Sequence, residues 1–259
     1  VIEFLFLGCV VGVCAGMFGI GGGGIMVPIF TMIFLKEGIS DAIHLALGSS
    51  MCAIIITSLS SFLAHNKNNA IRWDLLKLIV PGIIIGTMLS AFIASFIPAF
   101  YLAMVFSLYM FISALRMFFS KSVSKTRRIY KKYIQFIAGL IIGSVSAIVS
   151  IGGGSLSVPY IASQGVDIKK AIGTSAAIGF PLAIAGTFGY VVSGWQNTNL
   201  SEFIIGYVNL KAVFFTTITS FLFAPLGVKI VHNIKSQNVK KIFGIFLFIL
   251  SMKMLFEFI

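Results

Sequence analysis

The chain has 259 residues, of which 58% are hydrophobic and 10% charged, and its mean hydropathy is +1.05. A soluble domain carries about a quarter charged residues, so the composition excludes a water-soluble globular protein and points to a polytopic α-helical membrane protein. The net charge of +12 does not imply nucleic acid as a partner, because the basic residues fall in short loops between apolar spans, where the positive-inside rule puts them.

Apolar segments run over 2–35, 43–64, 75–97, 99–119, 133–164, 171–193, 203–228 and 242–258. They are continuous rather than alternating, which excludes a β-barrel. The first 35 residues lack a basic leader region and carry a motif that recurs in mid-chain, so they are expected to belong to the fold. The reading is an all-α membrane protein of eight apolar segments in two repeats of four. Residues 1–119 form the first repeat, 120–133 a basic cytoplasmic linker and 134–259 the second repeat.

The first segment contains Gly19-Ile-Gly-Gly-Gly-Gly-Ile-Met-Val-Pro28, and the fifth contains Ser150-Ile-Gly-Gly-Gly-Ser-Leu-Ser-Val-Pro159. From Ile20 and Ile151 to the prolines the copies align without a gap, at an offset of 131 positions. Both segments are too long for one crossing, since some 32 to 34 helical residues would extend about 50 Å against a hydrocarbon core of about 30 Å. Each is therefore expected to enter, break at the glycines and return as a shorter half-helix.

Loop charges separate two topologies. If each long segment crosses once, 12 of the 19 Lys and Arg residues are cytoplasmic; if both are re-entrant, with the N-terminus outside, the number is 16. The second model leaves each half with a hairpin and three spans, an odd number, so the halves are inverted relative to each other. Such repeats are a natural basis for alternating access.

Backbone opened at membrane depth is tolerated only where protein buries it or it lines a cavity. A half-helix starting after Gly21-Gly22-Gly23-Gly24, or after Gly152-Gly153-Gly154-Ser155, presents unpaired amides and the positive end of its dipole. That suits an anion without any basic side chain. The spaced glycines Gly8/Gly12/Gly16, Gly82/Gly86 and Gly139/Gly143 fit close helix packing instead.

A second duplicated pattern is Ala46-Leu-Gly-Ser-Ser50 and Ala171-Ile-Gly-Thr-Ser175. Ser49, Ser50, Thr174 and Ser175 are candidates either to bond an anion's oxygens or to allow tight packing. Gly19-x-Gly21-x-x-Gly24 matches the dinucleotide fingerprint only formally, having no βαβ context. No ATP-binding P-loop, metal-ligand spacing, catalytic group or cofactor is read from the chain. His44 is expected to be an interfacial structural residue, and Cys9, Cys14 and Cys52 small buried hydrophobes.

At these motifs the chain resembles the sulfite exporter TauE/SafE family, also called the toluene sulfonate uptake permease family. The resemblance rests on Gly16-x-x-Gly-Ile-Gly-Gly-Gly-x-x-x-Val-Pro28, on Ile151-Gly-Gly-Gly-x-x-x-Val-Pro159 and on the Gly-Ser-Ser and Gly-Thr-Ser that follow. It covers essentially the whole chain; the second copy departs at Ala147 and Ser150, where the first has Gly16 and Gly19. It implies a secondary transporter of small sulfur-containing anions in the inner membrane of a cell. An anion channel, or a membrane subunit serving a soluble sulfur-metabolism partner, are the alternatives, and assembly into a homo-oligomer stays open.

Overall fold

The computed structural model describes residues 2–18, 21–119, 130–233, 245 and 248–256. The first long segment is two helices, α1 (Ile2–Phe18) and α2 (Gly23–Lys36), followed by α3 (Ala42–Lys67), α4 (Trp73–Ala94) and α5 (Ala99–Phe119). The fifth segment is likewise two helices, α6 (Lys132–Ile148) and α7 (Gly154–Ser163), followed by α8 (Ile168–Ser193) and α9 (Leu210–Asn233). Helix recurs at 248–256. Among the described residues four helices are long and apolar enough to cross a membrane: Ala42–Lys67, Trp73–Ala94, Ile168–Ser193 and Leu210–Ile230. Together with the shorter apolar helices they make a multi-pass all-α membrane protein.

One boundary differs from the sequence expectation. Residues 203–209 do not open α9; they form an antiparallel hairpin of β1 (Ile204–Ile205) and β2 (Val208–Asn209), preceded by 3-10 turns at Trp195–Asn197 and Leu200–Glu202. Positive φ at Phe203 (58°) and Gly206 (56°) turns the chain, and the Asn209 side chain then caps α9 by accepting from the Ala212 amide at 3.0 Å. Hydropathy cannot separate such a hairpin from the start of an apolar helix. Most of the expected linker 120–133, and much of the last expected segment, lie outside the described residues.

Small residues let the helices touch backbone to backbone, which is how packing is achieved where lipid and side chain are equally apolar. Gly8, Gly12 and Gly16 of α1 lie against Thr216, Ser220 and Ala224 of α9, in that order, so α1 and α9 run parallel. Gly82 and Gly86 of α4 lie against Phe136 and Leu140 of α6, with Gly139 and Gly143 answering toward Ile79 and Ile83, so this pair is parallel too. The spaced glycines are thus packing surfaces.

At the centre α3 and α8 run antiparallel. Gly173 meets Ala70, Gly179 meets Ser58 and Gly186 meets Met51, so position rises along α8 as it falls along α3. Ser61 Oγ donates to Ala15 O at 3.4 Å, which puts the C-terminal ends of α1 and α3 together. Because α2 joins α3 through only five residues, it must run back along the first half of α3. α7 returns along α8 in the same way: Gly153 approaches Ile178 and Leu182, and Ser157 pairs with Ser175.

Candidate functional site

The site begins with two left-handed glycines. Gly22, before the first residue of α2, has φ 84°, and Gly153, before that of α7, has φ 77°. A residue with a Cβ pays about 1–2 kcal/mol in that conformation, so glycine is what allows an apolar segment to reverse here. Neither helix has a side-chain cap. The first-turn bonds are Ile25 N to Gly22 O at 3.0 Å and Leu156 N to Gly153 O at 3.1 Å. The amides of Gly23, Gly24, Gly154 and Ser155 meet no acceptor among the described residues. These are the open donors that any helix start leaves.

The two breaks meet. A Cβ built on Gly21 would stand 3.1 Å from Gly152 Cα and 2.7 Å from Ile54 Cγ2, and one built on Gly23 would overlap Ser150 O. Ile54 lies near the middle of α3, so the breaks converge near mid-depth of the central helix pair. Gly21–Gly24 and Gly152–Gly154 are buried, whereas Ser155 is half-buried. Charge at this junction comes from backbone dipoles: no acidic or basic side chain lies in either break.

The hydroxyl candidates divide. Ser49 Oγ accepts from the Asn209 amide at 2.8 Å, and Thr174 Oγ1 accepts from the Arg72 amide at 2.9 Å while donating to Lys170 O at 2.7 Å. Both hydroxyls are therefore engaged with backbone at the entries to α9 and α4. Ser175 pairs with Ser157 Oγ at 2.6 Å, and Ser157 donates to Gly153 O at 2.9 Å, so Ser175 is tied to the second break. Ser50 is fully buried and its hydroxyl has no partner among the described residues. It lies one helical turn before Ile54, on the stripe of α3 that faces the first break. Met26 stands 131 positions before Ser157, which is why Ser50 lacks the neighbour that Ser175 has.

Three residues at the junction escaped the sequence reading. Tyr109 of α5 is hydrogen-bonded through its hydroxyl to Ser155 Oγ, and the next residue, Met110, would be 3.2 Å from a Cβ on Gly24. One turn of α5 thus covers the starts of both half-helices. Ser150 takes positive φ (44°), and its hydroxyl holds Leu47 O at 2.7 Å, fastening the second break to α3. The departure from glycine at position 150 is the only trace of this in the sequence; Tyr109 and Met110, in an ordinary apolar helix, left none.

His44 lies elsewhere. Its Nε2 bonds Ile97 O at 3.0 Å, and its ring stacks on Tyr207 at 5.2 Å near the start of α3. Burial and the nearby Asp41 carboxylate push the Tyr207 phenol above its ordinary pKa. Among the described residues no group of three or more His, Cys, Asp or Glu could hold a metal ion.

A family model for the sulfite exporter TauE/SafE matches residues 4–254. The chain belongs to the TauE/SafE family. Its relatives include a "Probable membrane transporter protein" of Haemophilus influenzae, 32% identical over 253 residues and covering 96% of each chain. The "Probable membrane transporter protein MJ0441" of Methanocaldococcus jannaschii is 31% identical over 98% of this chain and 97% of its own. One from Bacillus subtilis is 28% identical over 75% of this chain and 79% of its own. No solved structure matches at a significant level. This TauE/SafE protein is accordingly a membrane transporter with a closed junction of two helix starts at its centre.

Proposed function

We propose that this TauE/SafE protein is a secondary transporter of small sulfur-containing oxyanions, of the sulfite or sulfonate type, in the inner membrane of a cell. The anion is held between the starts of α2 and α7, at the amides of Gly23, Gly24, Gly154 and Ser155. The observation that carries this reading is the convergence of two uncapped helix starts, both made by left-handed glycines, with no side-chain charge of either sign beside them. The family description points to sulfite, and the relatives' names specify no substrate.

The two halves act as inverted repeats, each beginning with a re-entrant hairpin. Support comes from direction: α3 and α8 carry the same Gly-Ser/Thr-Ser pattern, yet cross antiparallel. Equivalent helices related by an axis along the membrane normal would be parallel, whereas an axis in the membrane plane reverses them. α2 spans about 21 Å and α7 about 15 Å at 1.5 Å per residue, too short for a hydrocarbon core of about 30 Å. With the glycines buried, substrate enters only when the packed repeats move against each other.

The deciding experiment is uptake of labelled sulfite into proteoliposomes, competed with thiosulfate, sulfate, taurine and short alkylsulfonates. Saturable flux with counterflow, inhibited by part of the panel, is the expected result. Single-channel currents would replace the carrier by an anion channel. Absence of flux for every anion, from folded and inserted protein, would sink the reading.

A further inference from the structure

Away from the helix breaks, a cleft of ≈ 610 Å³ opens between the C-terminal ends of α3 and α9. Its polar lining is Ser60, Lys67 and Asn68 from α3 and its cap, with Lys229 from α9, and its lining includes no carboxylate. Among the described residues the ion pair of a carboxylate with Lys or Arg is Asp74 with Arg72, so neither lysine is neutralised by an acid there. Two lysines that border one recess without a carboxylate favour an anion there over a cation.

The cleft also leads somewhere. At its floor, Ser60 Oγ donates to Phe221 O at 2.8 Å. One turn deeper, Thr57 and Ser220 join hydroxyls at 2.8 Å across the α3–α9 interface. One further turn along α3 is Ile54, whose side chain meets Gly21 and Gly23. A seam of small hydroxyls thus runs from the recess as far as Thr57, and the Ile54 side chain separates it from the first helix break.

We propose that this cleft is an anion vestibule in which Lys67 and Lys229 bind a small free oxyanion and pass it along the α3–α9 seam toward the helix breaks. The inference rests on the transport reading above, and its sidedness is cytoplasmic in the re-entrant topology. The lysines act as attracting charges, while the Asn68 side-chain amide, which gives one N–H to Ala64 O at 2.9 Å, has a second to offer at the recess wall.

The test is charge-selective labelling of Asn68→Cys in inside-out vesicles of neutral phosphatidylcholine, read peptide by peptide by mass spectrometry. Anionic sulfonatoethyl methanethiosulfonate and cationic trimethylammonioethyl methanethiosulfonate are compared, each normalised to a free thiol. With both lysines present, the anionic reagent should react faster by roughly tenfold at low salt, and the preference should fall toward unity in the added background Lys67→Gln/Lys229→Gln. Equal normalised rates with both lysines present would overturn the proposal. So would a preference that disappears when phosphatidylglycerol replaces part of the neutral lipid, because a headgroup phosphate would then be the occupant. Labelling needs no flux, so its outcome is separate from that of a break variant such as Gly153→Val, which tests the transport reading.

Discussion

His65 of α3 and Tyr190 of α8 hold the same kind of atom in opposite halves of the molecule. His65 Nε2 donates to Gly16 O at 3.1 Å, and Tyr190 Oη donates to Ala147 O at 2.9 Å. Each carbonyl belongs to the last turns of the helix that precedes a glycine break, where the intrahelical donors run out. The two side chains stand 125 positions apart, the same offset that relates Ser49 to Thr174 and Ser50 to Ser175. Both are fully buried, so each acceptor would otherwise face no water. Two chemically unlike residues thus close the ends of α1 and α6.

Tyr190→Phe should therefore lower stability by about 0.5–1.5 kcal/mol, the worth of one hydrogen bond, since the Ala147 carbonyl keeps the Ser150 amide at 3.2 Å. For a chain of this size that corresponds to a midpoint shift of about 2–4 °C per kcal/mol, readable by thermal unfolding in detergent. An unchanged midpoint would mean that the Ser150 amide alone satisfies the Ala147 carbonyl.

Gly153→Val should abolish flux while the protein still inserts, because a β-branched residue cannot adopt φ 77° and its Cβ would stand 3.1 Å from Leu182 Cδ1. Gly153→Asn, which enters the left-handed region more easily, should retain more flux than the valine variant. Equal flux in the two variants would argue that the backbone conformation at the break is dispensable.

Ser50 and Ser49, adjacent in sequence, should behave oppositely. Ser49→Ala removes the acceptor of the Asn209 amide and should destabilise by about 1–3 kcal/mol with little change in KM. Ser50→Ala removes a hydroxyl with no partner, so the fold should be at least as stable. If that hydroxyl serves the anion, KM should rise roughly tenfold, the worth of about 1.4 kcal/mol in a hydrogen bond to charge. Paired KM and unfolding measurements on the two variants decide it.

Tyr109→Phe should weaken binding more than folding, since it strips the hydroxyl partner of Ser155 from the second half-helix start. Sulfite KM measured beside the thermal midpoint checks this. A fall in stability with unchanged KM would make Tyr109 a packing residue for α5.

Gly12→Leu should give little folded protein, because even a Cβ there would stand 2.5 Å from Ser220 O on α9. Gly38→Ala makes a useful contrast: Gly38 has positive φ but nothing within 4 Å, so only local strain should follow. Yield of monodisperse protein after extraction reads the difference.

Much of this molecule follows from the chain alone. Continuous apolar segments determine helices in a bilayer, because no other local structure satisfies the backbone without water. A run of glycines within a segment too long for one crossing determines a break, and the starts of α2 and α7 fall directly after Gly22 and Gly153. Four-residue spacing of Gly8, Gly12 and Gly16 likewise marks a packing face. What tertiary structure alone decided is the partner of each group. Ser49 and Ser50 look alike in sequence, yet one is held by the Asn209 amide from a hairpin about 160 positions away, and the other has no partner. Tyr109 reaches Ser155, Ser150 reaches Leu47 O, and Lys67 shares a recess with Lys229, all through long-range packing. Local pattern sets where backbone must bend, since that is a matter of neighbouring torsions and length. Which side chain meets the bend depends on how helices distant in sequence cross.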